Sequence, residues 1–185
     1  MSEMFRETTS LTTLDLTGIS TENVESMSSM FRQSTIQTID LSSFDTSKVL
    51  DMSYMFFSMR QLTSLQVNHF NTQNVKSMDH MFSSLDDLTE LDLSGWKTGR
   101  VTDMGSMFDG ATSLVTLDLS DWDVTGVEYM DYMFDHTESI STIDLRSFKT
   151  SSLKDMKGMF GYTGATTILF SEDFDTSQEI GRAHV

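Results

Sequence analysis

Apolar residues recur along this chain in two alternating patterns. In the first, Leu-x-x-Leu-x-Leu-x-x-aromatic, they form Leu88-Thr-Glu-Leu91-Asp-Leu93-Ser-Gly-Trp96 and Leu114-Val-Thr-Leu117-Asp-Leu119-Ser-Asp-Trp122. Ile36 to Phe44, Leu62 to Phe70 and Ile140 to Phe148 follow the same pattern, and Leu11 to Ile19 ends in an aliphatic residue instead. Alternation at Leu91-Asp-Leu93 and its equivalents predicts one short, half-buried strand per copy. The second pattern places Val24, Met27, Met30 and Phe31 at i, i+3, i+6 and i+7, within an arc of about 120° at helical pitch. It predicts a short helix, capped by Thr46-Ser47 or Thr72-Gln73, with Asp51, Asp103 and Asp155 near its positive end.

The two patterns alternate with a fixed period. Phe5, Phe31, Phe56, Phe82, Phe108, Phe134 and Phe160 are 26 residues apart, except for one interval of 25, and each ends a Met-x-x-Met-Phe motif. Fourteen of the fifteen methionines lie in that motif, Met59 being the exception. A unit this short cannot bury both apolar faces alone, so stacking is obligatory. Strands stack at about 4.8 Å and helices at about 8 to 10 Å, so the stack is expected to curve. The expected fold is an α/β repeat solenoid, a leucine-rich-repeat-like right-handed arc with a concave parallel sheet and short helices on the convex side. Residues 1–178 form its single domain, about seven repeats with the first and last incomplete. Register calls for an aliphatic residue at 179 and Met at 182, where Glu179 and Arg182 stand. Ile180-Gly-Arg-Ala-His-Val185 resembles a translated sequencing adapter, so residues 179–185 are set aside as a non-native or disordered tail.

Charge narrows the partners. Twelve Lys and Arg against 28 Asp and Glu give a net charge of −16, which repels nucleic acid and anionic membranes. No apolar run approaches the roughly 20 residues of a membrane span. Absence of cysteine excludes disulfides and thiolate sites, and absence of proline leaves turns to Gly, Asn, Asp, Ser and Thr. Met1-Ser-Glu-Met4-Phe5 lacks a signal peptide and matches the middle of the repeat, so a longer protein with neighbouring repeats is expected.

Taken together, the strand pattern and Asp-x-Ser/Thr-x-Val-x-x-Met-x-x-Met-Phe resemble the BspA-like leucine-rich repeat surface proteins over roughly residues 1 to 178. The resemblance implies a cell-surface or extracellular protein with an adhesive role. Three residues past each Met-Phe, where many relatives carry Cys, stand Thr8, Ser34, Met59, Leu85, Ala111, Thr137 and Thr163.

Candidate chemistry follows the repeat. Paired methionines suit Cu(I), but their Val and Phe neighbours favour core packing. Between the inward leucines stand Asp15, Asp40, Gln66, Asp92, Asp118 and Asp144, a column whose mutual repulsion calls for an offset. Hydroxyls of Thr13, Thr38, Ser64, Thr116 and Thr142, bound calcium, or a basic ligand could supply it. An ice-binding threonine array conflicts with Glu90 and with curvature. His69, His80, His136 and His184 occupy unrelated repeat positions, and no catalytic motif appears, so no enzyme is expected. The expected function is a non-enzymatic adhesion module without a required cofactor, binding a protein or glycan partner through Asp40, Gln66, Glu90, Asp92, Asp118 and Asp144, with Trp96 and Trp122 nearby. The alternatives are a structural spacer array and a calcium-dependent ligand binder.

Overall fold

The computed structural model describes residues 1–177. The expected tail, with Glu179, Arg182 and His184, lies outside the described residues. Among them no α-helix forms, and the only strands of more than one residue are β1 (Thr142–Leu145) and β2 (Thr167–Phe170), which pair in parallel with Thr142 opposite Thr167. The expected α/β solenoid, with its convex helices and concave sheet, is therefore not what this sequence builds.

Its repeats instead stack as coils of turns. Each Met-Phe segment carries two residues of positive φ four apart, including Ser29 and Gln33, Tyr54 and Ser58, His80 and Ser84, and Tyr132 and His136. A left-handed residue between the two methionines interrupts right-handed helical winding. Three-residue turns replace it, as where Met30 N–H donates to Met27 O at 3.1 Å and Arg32 N–H to Ser29 O at 3.2 Å. The remaining amides point along the stack. Met78, His80, Phe82 and Ser84 N–H donate to Asp103, Gly105, Met107 and Asp109 O of the next coil, at 2.6 to 3.0 Å. The same four donors recur between the other neighbouring coils, always running forward, with the chain's terminal amine on Ser26 O in the first.

The strand segments are short as well. Asp92 Oδ1 accepts the Ser94 N–H at 2.9 Å and Asp118 Oδ1 accepts the Ser120 N–H at 3.0 Å, which turns the chain there; Asp144 makes the same bond with Arg146 N–H where β1 forms. Single parallel bridges remain, such as Thr38 to Ser64 and Glu90 to Thr116. Asp51 and Asp103 likewise hold the N–H groups of Ser53 and Gly105 and cap turns, not helices.

Threonines expected as helix caps clamp coils together. Buried Thr72 donates its hydroxyl to Lys97 O at 3.1 Å and accepts Lys97 N–H at 2.7 Å, and Thr46 does the same with Asn71. Inside, Phe5, Phe31, Phe56, Phe82, Phe108, Phe134 and Phe160 form one continuous stack with centroids 5.6 to 6.0 Å apart. The methionine pairs from Met27 to Met159 are buried around it, as the core reading required.

Candidate functional site

The bridge segments bring the candidate residues onto one continuous groove. Asp40, Gln66, Glu90, Asp92 and Asp118 are exposed and Asp144 is half-buried. A cleft of about 630 Å³ holds Asp40, Gln66 and His69. The adjoining cleft shares Gln66 and adds Glu90 and Asp92; the next pairs Asp92 with Asp118, and the last pairs Asp118 with Asp144.

Repulsion along the acidic column is offset by each residue's own turn, not by the neighbouring threonine column. Hydrogen bonds from the Ser42 hydroxyl and backbone hold the Asp40 carboxyl below its usual range, and the Ser94 and Ser120 backbone and hydroxyl do so for Asp92 and Asp118. One oxygen of each carboxylate thus serves the fold. Asp92 Oδ2 also accepts Asn68 Nδ2 at 3.0 Å. Asp144 is drawn down to about 2, chiefly by its hydrogen bonds from Arg146, whose guanidinium grips both oxygens at 2.6 to 3.2 Å. Trp96 and Trp122 are buried and belong to the core, not to a ligand platform. His69 Nε2 lies 3.0 Å from Leu41 O, which fixes the proton on that nitrogen.

The Met-Phe turns assemble a second group of ionisable side chains that the repeat motif conceals, because they occupy its variable positions. Oδ1 atoms of Asp131, Asp79 and Asp103 surround the Cα of Gly105, where a Cβ would meet them at 3.0, 3.2 and 3.4 Å. Burial, then neighbouring carboxylates, raises the carboxyls of Asp103 and Asp131 above their ordinary value. His80 Nδ1 lies 2.6 Å from Asp79 Oδ1, and its ring stacks on Tyr54 at 4.5 Å. Burial and the adjacent Asp79 push the Tyr54 phenol up to about 12. Further along, Asp109, Asp135 and His136 converge so that one ligand atom of each lies within 4.8 Å of the others. Burial first, then Asp135, raises the Asp109 carboxyl. A sequence signal for this region exists. Positions 79, 80 and 136 carry ionisable residues where other copies have Ser28, Ser29 and Ser58, whereas 109 and 135 fall where the copies vary widely, as Arg6, Arg32, Phe57, Ser83 and Gly161.

A family model described as "Mycoplasma protein of unknown function, DUF285" matches residues 1–90 and again residues 85–179. No curated protein and no solved structure matches the chain.

Proposed function

The chain belongs to this family, the Mycoplasma proteins of unknown function DUF285, and from that premise we propose that it is a non-enzymatic binding module. It docks a protein or glycan partner along the groove that runs from Asp40 to Asp144, at a cell surface. One observation carries the reading. Four adjoining clefts share Gln66, Asp92 and Asp118, giving an open surface several coils long and lined by carboxylates, amides and hydroxyls. Such a surface suits an extended polar partner better than a small substrate, which calls for a concave, mostly apolar pocket. Resemblance to BspA-like surface proteins, carried by Met-x-x-Met-Phe, supports the location and the adhesive role.

The carboxylates are fixed in direction before any partner arrives, because each is tied to its own turn at Ser42, Ser94 or Ser120. Preorganisation of this kind lowers the ordering cost of binding. The test is a screen of the chain against arrayed glycans and immobilised cationic and neutral peptides, repeated with Asp92→Asn plus Asp118→Asn. The asparagines keep the turn acceptors and remove the charge. Retention of any detected binding in the double variant rules out the groove, and absence of binding to every array overturns the module reading in favour of a spacer.

A further inference from the structure

We infer that Asp109, Asp135 and His136 form a binding site for a borderline divalent transition-metal ion, for which Zn²⁺ is the probe. The site lies in the Met-Phe turns and is independent of the groove built by the bridge segments.

Geometry carries the inference. His136 Nδ1 is 3.1 Å from Asp135 Oδ1 and 3.9 Å from Asp109 Oδ1. Although the first pair is within hydrogen-bond distance, Asp135 Oδ1 is buried and has no hydrogen-bond partner. The imidazole nitrogen and the oxygen are close but not aimed at each other. A buried carboxylate oxygen left without a donor is costly, and a bound cation would satisfy Asp135 Oδ1. Two ligands held about 2.1 Å from one ion stand at these separations when the angles between them are about 95° and 136°. Both angles belong to a distorted tetrahedral or five-coordinate site with room for water.

The surroundings hold the three side chains in place. Asp109 and Asp135 occupy the same position in successive coils, which are locked together by the Gly110 N–H to Asp135 O bond of 2.9 Å. His136 is anchored by its own N–H to Gly161 O, and its ring stacks on Tyr162 at 4.6 Å. Gly161 makes the space: a Cβ there would lie 2.6 Å from Asp135 Oδ1. Two carboxylates and a neutral imidazole balance a double positive charge. Among the described residues, His136 is the only cationic partner within ion-pair distance of either carboxylate. One nitrogen and two oxygens suit zinc with water completing the shell, whereas calcium calls for six to eight oxygens.

The test is titration of the chelator-treated chain with Zn²⁺ by calorimetry, and with Co²⁺ by its visible absorption. One ion per chain is expected, with cobalt bands of a low-coordinate site and no displacement by excess Ca²⁺. His136→Ala and, separately, Asp109→Asn should weaken binding at least about tenfold, the loss seen even for outer-sphere changes. His69→Ala and His80→Ala should leave it unchanged. Circular dichroism identifies any variant that fails to fold, and Asp109→Asn, which keeps the side-chain shape, then decides. Absence of binding, or binding indifferent to both His136→Ala and Asp109→Asn, overturns the site.

Discussion

The indoles of Trp96 and Trp122 stack 6.5 Å apart with 1° between their planes, yet only Trp96 has an acceptor, donating from Nε1 to Val67 O at 2.9 Å, while Trp122 Nε1 is buried without one. Two residues equivalent in register therefore differ in energy. Phe70 and Phe148 show that a phenyl ring fits the position. Trp96→Phe forfeits a buried hydrogen bond, whereas Trp122→Phe removes an orphaned donor. Urea denaturation should find Trp96→Phe less stable than Trp122→Phe by about 1 to 2 kcal/mol; the reverse order would contradict this account.

The threonine clamp predicts a second asymmetry. Thr72→Val keeps the shape, as Val124 does naturally at the equivalent position, but leaves both Lys97 backbone groups without their partner. A loss of about 1 to 3 kcal/mol follows from unpaired buried groups. Thr72→Ser, which retains the hydroxyl, should recover most of it in the same denaturation experiment.

Since the Met-Phe segments are turns, far-ultraviolet circular dichroism of the folded chain should lack the double minimum of an α-helix. Substantial helical signal in water would restore the fold expected from periodicity alone.

That expectation failed for an identifiable reason. Val24, Met27, Met30 and Phe31 cluster on one side whether the backbone winds as a helix or as consecutive three-residue turns, because both bring every third or fourth side chain inward. Burial of the methionines and phenylalanines was thus legible, but the backbone was not. Positive φ falls mostly on Ser, Tyr, His, Gln and Glu, which give little turn signal; Gly110 and Gly158 were the exposed clues. Strand length was equally hidden, since Asp92 reads as a polar residue of an alternating strand and also accepts the Ser94 N–H of the following turn. The row from Asp40 to Asp144 was placed by register, whereas Asp109, Asp135 and His136 come together only because position 109 of one coil faces position 135 of the next.

Acidity should strengthen one part of the molecule. The folded Asp103 carboxyl is raised above its ordinary value by burial, then by Asp79 and Asp131, with the Gly105 N–H hydrogen bond and, less, His80 opposing. Its contribution to stability is full below the unfolded value near ~3.9 and is lost as pH rises through the raised folded value. Asp103→Asn can still accept the Gly105 N–H but carries no charge. It should raise Tm by a few degrees at neutral pH and leave it unchanged near pH ~4; an equal gain at both pH values would mean that charge is not the cause.

The forward amide ladder also governs how such a protein can change in length. Among the described residues, each Met-Phe coil from Met1 to Met130 offers the same four donors to the next coil, which presents the same four acceptors, so whole units can be duplicated or lost and the cut faces still match. Within a unit, the one-residue shortening falls outside the ladder, where Ser34 leads to Ile36 by one residue fewer than Met59 leads to Leu62. Copy number is the free variable of this architecture, and spacing between Met and Phe the fixed one.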